Sequence, residues 1–162
     1  MAPRSAIRHT REGVIARVEA EWEALSHLLR SAQPEDLGRP VFRRESPQMW
    51  TGKDVLAHLT EWQREARRVL RGEPRPPHLR KETLRAANAR IYAEWRDRPL
   101  AVVLAEAERV HGSVMETIAA LPDEFFSRRE RSPQWPYDLV GHLAEHRRKH
   151  LEPVLGPPAK LS

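Results

Sequence analysis

His142, His146 and His150 recur at every fourth position of YDLVGHLAEHRRKHLEPV, residues 137–154. On a helix, side chains four apart stack on one face, so this run offers a ladder of imidazoles. Two imidazoles at that spacing can hold one divalent cation, and a third from a facing helix would complete a site with open positions for water or substrate. Such a cation can lower the pKa of a water, or activate a thiol or a carbonyl oxygen. The competing reading is bland: core histidines satisfied by hydrogen bonds, or a partly solvated stripe.

A wheel at about 100° per residue, with Leu139 at zero, places Leu143, Val140, Leu151 and Val154 between roughly 40° and 120°, the buried side. On it His150 falls near ~20° and His146 near ~340°, among the apolar positions, while His142 near ~300° lies on the flank and is the weakest of the three. Arg147 is anomalous at about 80°, and is expected to run its stem along the apolar seam and carry its charge to the bundle end.

The chain that must position these groups has 162 residues, enough for one domain with a continuous core. The expected organisation is a single domain over 1–162, its core about 5–155, with 156–162 as a frayed tail. There is no cysteine, which removes disulfides, thiolate nucleophiles and Cys-based zinc sites and leaves imidazole and carboxylate as metal ligands. No segment reads as a signal peptide or a membrane span, so the expected location is the cytoplasm. The net charge of +5 comes from 28 basic and 23 acidic residues that interleave. Arg64, Arg67, Arg68 and Arg71 could line a helix face for phosphates, but Glu61 and Glu65 lie among them, and a solvated face with internal ion pairs is the expectation. Nucleic acid and membranes are not expected partners.

Taken in order, Ile7, Val14, Val18, Trp22, Leu25 and Leu29 define a long amphipathic helix. A proline-bearing connection (SAQPEDLGRPVFRRESPQMW) follows, long for a bundle loop and placed to cover one end of the core. Thr51 and Asp54 form a capping box that opens the next helix, whose buried stripe is Val55, Leu59, Trp62, Ala66, Val69 and Leu70, with His58 at the stripe's edge. Gly72 and the Pro74, Pro76, Pro77 cluster end it. A shorter helix, about Lys81 to Trp95, turns Leu84, Ala87, Asn88, Ile91 and Trp95 inward. Pro99 then occupies the first turn of a helix from Leu100 to Leu121 that buries Val103, Leu104, Ala107, Val110, Val114, Ile118 and Leu121. Residues 122–136 read as a loop whose Phe125, Phe126 and Trp135 plug the bundle end. No period-two alternation suggests a strand, so the fold class is all-α: four long helices and a short one, a four-helix bundle.

The segment SPQMWTGKDVLAHLTE at 46–61 echoes SPQWPYDLVGHLAE at 132–145 once two residues are dropped from the second. The echo aligns His58 with His142 and Glu61 with Glu145, and is either the remnant of a duplicated hairpin or a coincidence between two helix starts.

The segments WTGKDVLAHLTEWQ, NARIYAEWRDRPLAVVLAEAERVHGSVMETIAALPDEFF and EHRRKHLEPV together resemble the DinB-like four-helix proteins, and among them the ClbS/DfsB branch, from about Ala16 to Leu155. That resemblance implies an up-down-down-up bundle whose long crossover would be Leu70 to Pro99. It also implies a divalent metal, zinc or nickel with iron as a further option, held by one histidine of the second helix and an HxxxH pair of the last. Residue by residue, His58 in VLAHL matches the first ligand and His146 and His150 match the pair, with His142 the additional histidine four residues ahead. If the second and last helices are antiparallel, His58 should lie level with His146 and His150; if parallel, with His142. Arg147 and the Leu151-Glu152 pair depart from the family pattern, which often has an aromatic between the two histidines and Gly-Gln after them.

The resulting functional expectation is a metal-dependent hydrolase or thiol-dependent transferase acting on an electrophilic or toxic small molecule, with any thiol supplied by a low-molecular-weight cofactor such as glutathione, mycothiol or bacillithiol. Against it stand a metal-free protective hydrolase of the ClbS/DfsB type and a non-enzymatic bundle that binds a ligand or DNA. Glu61, Glu145 and Glu152 could serve as bases, but the wheel turns Glu61 and Glu145 outward, toward surface ion pairs. Trp50, Trp62, Trp95, Trp135 and Tyr92 could line a pocket, and core packing is the simpler expectation. A homodimer stays open, since no surface stripe compels one.

Overall fold

The computed structural model describes residues 9–41, 49–127 and 137–156. The first helix, α1 (Arg11–Ser31), begins where Thr10 Oγ1 accepts the Gly13 amide at 3.0 Å. A single turn, α2 (Pro34–Leu37), follows in the connection. Its Leu37 and the later Trp50 are buried in the core, so the described parts of the connection cover one end of the bundle.

The capping box is present. Thr51 Oγ1 accepts the Asp54 amide at 3.3 Å and the Thr51 amide donates to Asp54 Oδ2 at 2.9 Å, opening α3 (Gly52–Leu70). Gly72, at φ 68°, reverses the chain after it. The crossover then runs through a 3₁₀ turn, Pro77–Leu79, and α4 (Leu84–Trp95), which Thr83 caps, to α5 (Leu100–Ala120). Pro99 is the N-cap of α5, one position before the expected first turn. Lys53 Nζ donates to the carbonyls of Arg96 and Arg98 at 2.6 and 2.7 Å, tying the end of the crossover to the start of α3.

Part of the expected 122–136 loop is helical, as α6 (Asp123–Ser127). The last long helix, α7 (residues 137–155), is composite: π turns at Tyr137–Gly141 and Arg147–Leu151 alternate with α-helical His142–His146 and Glu152–Leu155. The architecture is an all-α four-helix bundle, up-down-down-up, with α4 as the extra helix of the crossover. In that connectivity α3 and α7 run antiparallel.

Two apolar clusters fill the bundle. One gathers Leu25, Val55, Leu59, Ile91, Trp95, Val103, Leu143 and Leu151. The other gathers Val14, Val18, Val110, Val114, Ile118, Phe126 and Leu139. Phe126 therefore plugs the core as expected, while Ile7, Trp135 and the tail beyond Gly156 lie outside the described residues. Two expected core positions are exposed: Val69 at 61% and Leu84 at 65%. Val69 sits in the last turn of α3, turned about 100° from the buried Leu70. Leu84 is the first residue of α4, whose buried stripe of Ala87, Ile91 and Trp95 starts one turn later.

Burial thus ranks these positions. Phe126→Ala should cost about 3–5 kcal/mol in urea unfolding, whereas Leu84→Gln should stay within about 0.5 kcal/mol of wild type. Equal effects would show that the core has been assigned to the wrong faces.

Candidate metal centre

The buried positions of α7 are Leu139, Leu143, Leu151 and Leu155, with Arg147 completing the row at 12% side-chain exposure. This row advances by four residues at every step. On a straight α-helix each such step turns by about 40°, so four steps would carry the row roughly 160° around the axis and out of the core. A π turn holds an extra residue and absorbs that drift. The two π turns therefore keep the leucine row facing inward, and with it the parallel row His142, His146 and His150.

That phase correction brings His142 inward. His58, only 5% exposed on α3, places Nε2 3.3 Å from Nε2 of His142. Its ring centroid is 5.2 Å from that of His142 and 4.9 Å from that of His146, and the His142 and His146 centroids are 4.7 Å apart. Candidate ligand nitrogens of His58, His142 and His146 all fall within 4.8 Å of one another. The uniform wheel put His142 on the flank and made it the weakest candidate; the structure places it inside the group. His150 reaches the group through His146, Nδ1 to Nδ1 at 3.0 Å. The antiparallel arrangement sets His58 against His146 as expected, but the second ring beside it is that of His142, expected only for parallel helices, and not that of His150.

Burial controls the chemistry of these rings. It pushes His58 down to about 3, helped by the neighbouring charges that His146, His142 and His150 would carry. His146 is pushed down to about 4 by burial and then by His142 and His150. His150 is lowered as well, by burial and then by Lys149. His58 and His146 are accordingly neutral near pH 7, and a neutral imidazole keeps the lone pair that a metal needs. The donor set fits a divalent cation that takes nitrogen ligands. His150 meets His146 at Nδ1, which leaves His146 Nε2 for the cluster, the supporting contact expected of a ligand histidine. Nδ1 of His58 is buried without a hydrogen-bond partner among the described residues, so its ring is held by packing.

That packing is aromatic. Trp50 lies 5.2 Å from the His58 ring and stacks on Tyr92 at 5.9 Å, and Trp62 stands 6.2 Å from His58 and 6.5 Å from His142. Trp62 is itself fixed by donating Nε1 to Asn88 Oδ1 at 3.2 Å. Trp50 and Trp95 are core residues, as expected.

Two charged residues differ from expectation. Arg147 does not run to the bundle end: Nε donates to Glu21 Oε2 of α1 at 3.1 Å and Nη1 to Glu152, so carboxylates meet it where it stands. Glu61 does not point away. Trp95 Nε1 and Arg64 Nη1 both donate to its Oε1, at 3.2 and 2.7 Å, and burial raises its carboxyl pKa. The wheel missed this because α4, which supplies Trp95, packs on that side of α3. Glu145 pairs with Lys149 at 2.6 Å, as an outward glutamate should.

The model of the DinB superfamily matches residues 17–154. Among solved structures, an uncharacterised protein from Escherichia coli UTI89 is similar with a TM-score of 0.66 at 12% identity, over 88% of this chain and 94% of that one. The colibactin self-resistance protein ClbS, solved in complex with a dsDNA, is similar with a TM-score of 0.61 at 14% identity, over 88% of this chain and 98% of that one. No curated protein matches the chain.

The lowered pKa values give stability a definite pH dependence. The unfolded chain binds protons at His58 and His146 below the ordinary value of 6.5, and the folded one does not until about 3 and 4. Their contribution is therefore complete above pH 6.5 and is lost as pH falls toward those folded values. In EDTA-treated protein, His58 alone should remove roughly 3 kcal/mol between pH 6.5 and pH 4. Urea midpoints against pH measure it, and His58→Phe should flatten the curve. A wild-type curve already flat would mean the rings are solvated.

Proposed function

The chain belongs to the DinB superfamily, and on that premise we propose that it is a metal-dependent enzyme whose cation is held by His58, His142 and His146, acting as a hydrolase or thiol-dependent transferase on an electrophilic small molecule. One observation carries this reading: three imidazoles from two antiparallel helices, with ligand nitrogens within 4.8 Å of one another. A divalent cation supplies Lewis acidity there, making a nucleophile's proton easier to remove or an electrophile's carbonyl more polar.

The chain's own residues set the conditions. Buried neutral rings at His58 and His146 offer lone pairs without a proton to displace at neutral pH. His150 holds the orientation of His146. Trp50 and Trp62 wall His58, keeping water from its flanks and strengthening electrostatic effects within. With no cysteine in the sequence, a thiol nucleophile would come from a small-molecule cofactor.

A metal-free protective hydrolase is the second reading. The His58–His142 contact favours it, because two rings that close with one proton between them can act as an acid–base pair. ClbS, which shares this fold, is a colibactin self-resistance protein, and the protective part of this reading is patterned on it.

Elemental analysis of the purified protein separates the two. The metal reading expects roughly one zinc, nickel or iron per chain. It expects His58→Ala, His142→Ala and His146→Ala each to strip it, and His150→Ala to weaken retention about 10- to 100-fold, as loss of a supporting contact does. Metal lost in the His58, His146 and His150 variants and kept in the His142 variant would move the ligand set to His58, His146 and His150. Metal-replete protein with far less than one equivalent, and activity unchanged by chelators, would leave the metal-free reading.

A further inference from the structure

Trp62 has a second neighbourhood. It also lines a cleft of about 300 Å³ between α3, the crossover and α4, where arginines outnumber glutamates five to three. Most of these arginines are committed. Arg68 binds Glu65 through Nε and Nη2 at 2.9 and 2.6 Å, Arg90 binds Glu82 at 2.8 and 3.1 Å, and Arg64 binds Glu61.

Two guanidinium groups stand apart. Arg67 donates through Nε to Thr117 Oγ1 at 3.2 Å and has no carboxylate partner among the described residues, which leaves both Nη groups uncommitted. Arg75 donates Nη2 to Glu82 at 3.3 Å, but its Nε is buried without a hydrogen bond among the described residues. The carboxylate of Glu65 lies 3.9 Å from that Nε, beyond hydrogen-bond length. That nitrogen is closed off from the cleft, whereas Nη1 of Arg75 carries no hydrogen bond among the described residues and is the donor left for a ligand. Ile91 and Leu79 supply an apolar surface beside Trp62.

We propose that this cleft binds a small organic anion, its carboxylate or phosphate received by Arg67 and Arg75 and its apolar body lying against Trp62 and Ile91. Guanidinium forks suit planar carboxylate and phosphate oxygens, and the flat indole suits the body of the ligand. Glu61 shapes the selection. Both of its donors converge on Oε1, and Oε2 carries no hydrogen bond among the described residues, so a second negative charge on the ligand would meet repulsion on that side. The site goes beyond the metal reading and stands without it. Because Trp62 also touches the His58 ring, an occupant of the cleft lies one side chain from the imidazole cluster.

The test uses two probes, benzoate for the carboxylate and phenyl phosphate for the phosphate, titrated calorimetrically and against the indole N–H resonance of Trp62, assigned with Trp62→Phe. Saturable binding of at least one probe is expected, and the stronger arm identifies the head group. Arg67→Gln should weaken it about tenfold. Glu61→Gln, which keeps an acceptor for Trp95 but removes the charge facing the anion, should tighten it several-fold, an effect that a purely structural role would not produce. No saturable shift with either probe, or unchanged affinity in Arg67→Gln, overturns the proposal. Displacement of the probe by duplex DNA, with an affinity that falls steeply with salt, would make the cleft a nucleic-acid surface and overturn it as well. Metal content measured on the same samples keeps this outcome separate from that of the metal reading.

Discussion

Imidazoles can be crowded together inside a protein only while they are uncharged. His58, His142, His146 and His150 form a continuous chain of ring contacts, and protonating one of the buried members would strand a cation beside the others with little water to screen it. Much of the surrounding structure enforces that neutrality at His58 and His146. The tryptophans at 50 and 62 withhold solvent from His58, and the antiparallel pairing of α3 with α7 sets it against the row. The resulting lone pairs are the chemical resource of the molecule.

Most of the fold was legible in the residues because it rests on short-range rules. The capping box at Thr51 and Asp54, the left-handed Gly72 and the stripes of α1 and α5 follow from local sterics and amphipathic spacing. The family likeness brought His58 into the site; spacing alone left it at the edge of a stripe. What the wheel misjudged was the phase of α7. It assumes one constant turn angle, and this helix changes its own at two places. The clue lay in the spacing itself, since Leu139, Leu143, Arg147, Leu151 and Leu155 keep a strict four-residue step that a uniform helix could not bury. Glu61 was misjudged for another reason: its neighbour Trp95 arrives from a separate helix, and a single wheel carries no information about what packs against it.

Charge placement follows the same logic of compensation. Arg147 occupies a core position of α7, and Glu21 and Glu152 neutralise it there, fastening the second π turn to α1. The arginine row of α3 largely fulfils the expectation of internal ion pairs: Arg64, Arg68 and Arg71 each hold a carboxylate. Arg67 is the member of that row for which the described residues supply none, and the exception rather than the rule is what gives the neighbouring cleft its character.

The stepwise register of α7 has a consequence for how this chain can change over generations. Single replacements along it alter one contact at a time, and the rest of the row stays in place. Gain or loss of one codon between Leu139 and Leu155, unless taken up by making or unmaking a π turn, would instead displace every histidine and every leucine beyond that point by about 100°, severing the cluster and the core together. Related chains should therefore vary in letters between the inward rows of this stretch while holding its length, and should gather their insertions in the connection before Trp50 and in the crossover.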